Sequence, residues 1–193
     1  KVACLLHDIG KPKAKRRKQG KTIFYEHERY GRLMTDVICK RLKLSTKERQ
    51  FLMTLVFWHL RPGCLVQDRY PTDRAIYRFF RDTGQEGVSI ILLSIADWRA
   101  TRGKLVDFKK RPSHERILFK LVDDYFILKE KKEAPPLVNG YDIMKRFRLE
   151  PSKLVGIVLA KVREEQLLGK IRTKSGAYRE AQQVIDNNRV KLV

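Results

Sequence analysis

The sequence predicts an all-α fold in two parts, a larger helical domain over residues 1–133 and a smaller helical tail over residues 137–193. Three observations predict it. Apolar residues recur at spacings of three and four along the chain, and no stretch sustains the alternation of a β-strand. Hydrophobic residues make up 42% of the 193, enough to bury a core. Ala134-Pro135-Pro136 breaks the chain between the two parts.

The elements follow in order from their caps and breaks. Val2, Leu5, Leu6 and Ile9 already sit at helical spacing, so the chain opens inside a helix that ends near Gly10. Further sequence is therefore expected upstream of Lys1. Residues 11–22 read as a basic loop, with seven Lys or Arg between positions 11 and 21. Helices are predicted from about Glu26 to Leu42 and from about Thr46 to His59, the second with Ser45 as N-cap. A loop holding Pro62, Gly63 and Pro71 leads to a helix that Thr72 caps and that runs to about Thr83. Gly87 to Ala100 is apolar nearly all round, which predicts a buried helix. Ser113 reads as the cap of a long helix ending near Lys132. In the tail, Asn139 caps a short helix to about Phe147, Pro151 opens one ending near Gly169, and Thr173 starts the last.

Charge bounds the partners. Lys and Arg number 43 against 22 Asp and Glu, a net charge of +21 and a pI near 10.1. An excess of that size repels the compact state and points to a polyanion, nucleic acid before an anionic membrane surface. The longest apolar run, around Val88 to Ala96, falls far short of the about 20 residues a membrane span needs, so no membrane partner is expected. Cys4, Cys39 and Cys64 lack paired or zinc-ligand spacing and read as free thiols in a reducing cytoplasm.

Five polar residues fall where polar residues are costly. His7-Asp8 closes the opening helix. His27 shares a helical face with Tyr30, Met34, Val37 and Ile38, His59 continues a face set by Leu52, Leu55 and Val56, and Asp97 extends one set by Ile90 and Leu93. A buried carboxylate without a partner costs several kcal/mol. A divalent cation (Mg, Mn, Ni, Zn or Fe) held by His7, Asp8, His27, His59 and Asp97 would account for all of them and supply phosphohydrolase chemistry. Taken singly, each histidine also reads as a hydrogen-bonded core residue, and Asp97 as a partner of Arg99 or Arg102. Phe79, Phe80, Trp98, Phe126 and Trp58 read as core rather than as base-stacking platforms.

The segment Cys4-Leu5-Leu6-His7-Asp8-Ile9-Gly10-Lys11-Pro12 resembles the signature of the HD superfamily of metal-dependent phosphohydrolases. The resemblance implies an HD-type helical domain in which His7 and Asp8 are the signature pair, His27 and His59 the intervening histidines, and Asp97 the last ligand. It implies catalytic work for His7, Asp8 and Lys11, and a leading histidine that lies upstream in the family. Phe24-Tyr25-Glu26-His27-Glu28, Leu137-Val138-Asn139-Gly140-Tyr141-Asp142-Ile143-Met144 and Glu165-Gln166-Leu167-Leu168-Gly169-Lys170-Ile171 are similar, in that order, to segments of bacterial tRNA nucleotidyltransferases and poly(A) polymerases. That branch implies a nucleotidyltransferase head upstream that performs the transferase reaction, an RNA-gripping tail, and hydrolysis of 2′,3′-cyclic or terminal phosphates by the HD site in some members. The expected partner is the 3′ end of tRNA or another RNA.

Two groups of cations are expected to meet RNA phosphates: Lys13, Lys15, Arg16, Arg17 and Lys18 in the loop, and Lys153, Lys161, Arg163, Lys170 and Arg172 in the tail. A charge run is also commonly a solvated face. Two further readings remain at this point, a free-standing HD hydrolase acting on nucleotides, and an RNA-binding module whose HD site is structural.

Overall fold

The computed structural model describes residues 1–66, 70–101, 111–133 and 135–189. They form helices joined by short turns and one two-stranded ribbon, an all-α fold of HD type followed by a smaller helical part. The chain divides into two compact units, Lys1–Tyr125 and Phe126–Val193. The division falls inside a long helix, ahead of Pro135-Pro136. No helix among the described residues is long and apolar enough to cross a membrane.

The first unit opens with α1 (Val2–Leu6) and α2 (Lys11–Ala14). The expected basic loop is partly ordered: α2 takes its start, and β1 (Arg16–Lys18) pairs antiparallel with β2 (Lys21–Ile23). Gln19 and Gly20 turn the ribbon with φ of 50° and 74°, the left-handed pair a two-residue hairpin requires. Periodicity misses it because all of β1 and most of β2 face solvent, leaving no apolar alternation to read.

Next come α3 (His27–Arg41) and α4 (Thr46–Trp58). A capping box starts α4: Glu48 N–H donates to Ser45 Oγ, and Ser45 N–H donates to the Glu48 carboxylate. The face that α3 buries is His27, Gly31, Thr35 and Cys39, while Val37 of the expected apolar face is exposed. Small residues win there because the Val56 side chain and the backbone of His7 and Gly10 press close. A Cβ on Gly31 would stand 3.0 Å from Val56 Cγ1.

The stretch expected as loop contains α5 (Arg61–Leu65), which Pro62 is free to enter because the first helical turn needs no N–H from it. Thr72 caps α6 (Asp73–Thr83), and a 3₁₀ turn leads into α7 (Gly87–Ala100). Phe79, Phe80, Ile90 and Ile91 are buried, as are Leu118 and Leu121 of α8 (Arg111–Glu133). Three expectations fail here. Leu92 is half exposed, so α7 is not buried all round, and Phe126 is exposed rather than core. Ser113 lies inside α8, which begins two residues before it, rather than ahead of the helix as expected.

The second unit packs α9 (Gly140–Phe147), α10 (Lys153–Leu167) and α11 (Lys174–Arg189) around Ile143, Val158, Val162, Ala177, Ala181 and Ile185. Asn139 closes a capping box with Asp142, and Thr173 Oγ1 accepts from Gly176 N–H at the start of α11.

Two glycines give opposite expectations. A Cβ on Gly10 would fall 2.0 Å from the His27 carbonyl oxygen and 2.6 Å from Gly31 N, whereas one on Gly156, within α10, meets no atom within 4 Å. Gly10→Ala is expected to lose about 2 kcal/mol or more by forcing backbone apart. Gly156→Ala should gain about 1 kcal/mol of helix propensity. Denaturant unfolding of the two variants checks both signs.

Candidate metal centre

Three histidines are aimed by one local device. His7 Nδ1–H donates to the Cys4 carbonyl (3.0 Å), His27 Nδ1–H to that of Phe24 (2.8 Å), and His59 Nδ1–H to that of Val56 (2.7 Å). Each carbonyl lies three residues back in the chain, so the turn preceding each ring fixes its tautomer and points Nε2 toward the centre of the site. Val56 belongs to α4, whose C-cap is His59. Cys4 belongs to α1, and Phe24 precedes the turn into α3. Gly10 lets the His7-Asp8 turn rest against the His27 backbone, which brings the three rings to one point.

Asp8 stands at that point and uses both oxygens. Oδ1 lies 3.3 Å from His27 Nε2 and 3.7 Å from His59 Nε2, while Oδ2 lies 3.3 Å from His7 Nε2 and meets Lys11 Nζ. Asp97, from α7, brings Oδ1 to 3.3 Å from His7 Nε2. The result is two overlapping triads that share Asp8: Asp8, His27 and His59, and His7, Asp8 and Asp97. Arg99 pairs instead with Glu115, at 3.0 and 2.7 Å, and Arg102 lies outside the described residues.

These donors fit a cation better than they fit one another. His27 Nε2 and His59 Nε2 are 3.3 Å apart, and in the neutral rings both present bare lone pairs because both Nδ1 atoms carry the proton. Two buried lone pairs at that distance repel unless positive charge lies between them. His7 Nε2 is buried 3.3 Å from one carboxylate oxygen of Asp8 and 3.3 Å from one of Asp97, contacts that favour a charged ring but are long for hydrogen bonds. Separations of 3.3 Å also exceed the about 2.8 Å of a charge-assisted hydrogen bond. They match the about 3.0–3.5 Å between neighbouring ligands of one ion bound at about 2.1 Å.

Electrostatics agree with a site built for positive charge. The Asp8 and Asp97 carboxylates push the His7 pKa up to about 10 against the opposing effect of burial. Burial works against the Asp8 charge, but contacts from His59, His7 and Lys11 outweigh it and hold Asp8 well below the usual carboxylate range. Asp97 is lowered chiefly by His7. Lys11 and protonated His7 thus balance the two carboxylates when no cation is bound.

Beside the centre lies a cleft of about 680 Å³ whose walls include Lys11, Phe24, Tyr25, His27, Trp58 and Arg61. Sequence reasoning does not find it, because residues from α2, β2, α3, α4 and α5 make its walls. The expected phosphate contacts lie on different surfaces. Lys13, Lys15, Arg16, Arg17 and Lys18 are exposed on the first unit, from α2 through β1, with Lys13 Nζ 5.3 Å from the Tyr30 ring centroid. In the second unit Lys153, Lys170 and Arg172 are exposed, while Lys161 and Arg163 are half buried. Lys161 and Lys170 both pair with the buried Glu165 carboxylate, and Arg172 Nε donates to the Gly169 carbonyl at 3.4 Å.

Residues 1–125 match the HD domain family, and the chain belongs to it. It is 33% identical to an A-adding tRNA nucleotidyltransferase of Deinococcus radiodurans, over 91% of this chain and 39% of that protein. It is also 28% identical to a CC-adding tRNA nucleotidyltransferase of Thermus thermophilus (92% of this chain, 38% of that protein) and 24% identical to one of Synechocystis (75% and 32%). The chain thus spans about two fifths of the length of the curated relatives it matches. No solved structure gives a significant match.

Cation uptake should be tied to the His7 proton. A raised His7 pKa adds stability that is present below its ordinary value near 6.5 and is lost as pH rises through about 10. The lowered Asp8 and Asp97 pKa values add stability that is present above 3.8 and is lost as pH falls. A divalent cation must displace the His7 proton below about pH 10, so apparent Mn affinity should rise up to about tenfold per pH unit between about pH 7 and about pH 9. Calorimetric titration across that range is the check. A flat affinity would remove His7 from the ligand set.

Proposed function

We propose that this chain is the HD and RNA-gripping portion of a tRNA nucleotidyltransferase-type enzyme. In this reading its first unit hydrolyses a phosphate ester at an RNA 3′ end, such as a 2′,3′-cyclic phosphate, with a divalent cation. Nucleotide addition belongs to the complete protein, through a head upstream of this chain. One observation carries the RNA half of the reading: the HD match stops at residue 125, whereas similarity to tRNA nucleotidyltransferases covers 91% of the chain and so runs into the second unit. The +21 charge supports a polyanionic partner, and three free cysteines support a reducing compartment such as the cytoplasm.

The residues divide the work. His27, His59 and Asp8 Oδ1 would hold the cation, with His7 and Asp97 completing the set around the other Asp8 oxygen. Bound there, the cation supplies Lewis-acid polarisation of a phosphoryl oxygen. Lys11 keeps Asp8 ionised and offers an ammonium to a phosphate arriving through the adjoining cleft. The exposed hairpin cations Lys15, Arg16, Arg17 and Lys18 draw the strand in, and the second unit grips the RNA body.

The test measures turnover and binding on one preparation. With Mn or Ni supplied, the chain should hydrolyse 2′,3′-cyclic AMP. A chelator should stop it, and Asp8→Asn or Asp97→Asn should lower the rate by on the order of a hundredfold. Both variants should still bind tRNA, with affinity that falls steeply as salt is raised. Turnover that survives Asp8→Asn or the chelator would sink the hydrolytic half. Failure to bind tRNA at low salt would sink the other.

A further inference from the structure

The second unit carries a groove whose cations neither motif nor composition singles out. It is an open space of about 1250 Å³ where the end of α9 faces the start of α11. Lys145, Arg146, Arg148, Lys174 and Arg179 line it, against one carboxylate, Asp142. Asp142 is already engaged by Lys174 at 3.0 Å and by the backbone N–H of Asn139. The side chains of Arg148 and Arg179 are exposed and make no ion pair or hydrogen bond among the described residues. Two tyrosines join the wall. Tyr141 is 66% exposed, and Arg146 and Lys174 lie 5.8 and 6.0 Å from the Tyr178 ring centroid.

Arg148 supplies a second, independent observation. It is the C-cap of α9 and sits in the left-handed region, φ 52° and ψ 48°, with its backbone N–H donated to the Met144 carbonyl. Glycine takes that conformation freely and arginine does not, so helix geometry alone would favour glycine there. A residue held in a disfavoured conformation, with its guanidinium free at the rim of a cationic groove, points to a use for that guanidinium. The contrast with α10 is sharp. Lys161 and Lys170 are drawn in by Glu165, so their charge is largely cancelled inside the unit.

We propose that the α9–α11 groove is the surface by which the second unit holds the phosphate backbone of structured RNA, with Arg148 and Arg179 as its principal contacts. This rests on the reading that the chain grips tRNA, and it names the place where it does so. Guanidinium groups take phosphate oxygens in pairs, and the tyrosine edges suit ribose and base faces. The N-terminus of α11, opening at the same groove, adds partial positive charge.

The test uses the full chain and a fluorescently labelled tRNA, with binding followed by anisotropy over a salt series. The double variant Arg148→Gly with Arg179→Gln should bind about tenfold more weakly at fixed salt, and its log-log salt slope should shrink by about two. Its melting temperature should be unchanged or raised, because glycine at position 148 relieves the left-handed backbone. A control with equal charge loss on exposed residues elsewhere, Lys47→Gln with Lys129→Gln, should stay within about twofold of the parent. If the parent binds tRNA and the groove variant matches it in affinity and slope, the groove is overturned while the RNA reading stands. A loss confined to poly-glutamate binding, with tRNA affinity intact, likewise overturns it in favour of an acidic protein partner. If the parent binds no tRNA, both fall.

Discussion

The first unit is arranged around one carboxylate. Asp8 gives each of its oxygens a different set of neighbours, His27 and His59 on one side, His7 and Lys11 on the other. That arrangement needs the backbones of the His7-Asp8 turn and of α3 almost in contact, which Gly10 and Gly31 permit. It also needs every imidazole to turn the same nitrogen inward, which the three carbonyls at Cys4, Phe24 and Val56 secure. Gathering buried lone pairs and half-buried carboxylates at one point opposes folding unless positive charge is supplied. Lys11 and the His7 proton supply it in the protein alone, and a divalent cation would supply it more compactly.

The site was more legible in the sequence than the path of the chain through it. His7-Asp8 at a helix end, and His59 and Asp97 continuing apolar faces, were visible because those neighbours, Leu52, Leu55, Val56, Ile90 and Leu93, are in fact buried. His27 reaches the centre for a different reason. The buried face of α3 is His27, Gly31, Thr35 and Cys39, a line of small and polar side chains that a hydrophobicity pattern cannot find. The signal that could have found it was the pair of glycines at positions 10 and 31, whose need is for close approach rather than for a turn. The hairpin was invisible for a related reason, since its strands are charged and solvent-facing and only Gln19-Gly20 marked it. Helix starts with a partnered cap, at Ser45, Thr72, Asn139 and Thr173, were read correctly. Ser113 was not, because a serine preceded by Arg111-Pro112 can as well sit in the first turn that Pro112 opens.

Charge is where composition misleads most. A total of +21 says that cations outnumber acids but not which of them remain available. Lys40 is committed to Asp36, Arg99 to Glu115, and Lys161 and Lys170 to Glu165. Motif order draws attention to the run from Glu165 to Ile171, yet its buried glutamate pairs with Lys170 inside the run and with Lys161 one turn before it. The free guanidiniums stand elsewhere, on the turn after α9 and near the start of α11, where sequence alone shows only scattered single charges. Availability is a property of the fold. A cation becomes a ligand for RNA when the nearest carboxylate is already taken, as Asp142 is by Lys174, and a density of positive residues along the chain is a poor substitute for that test.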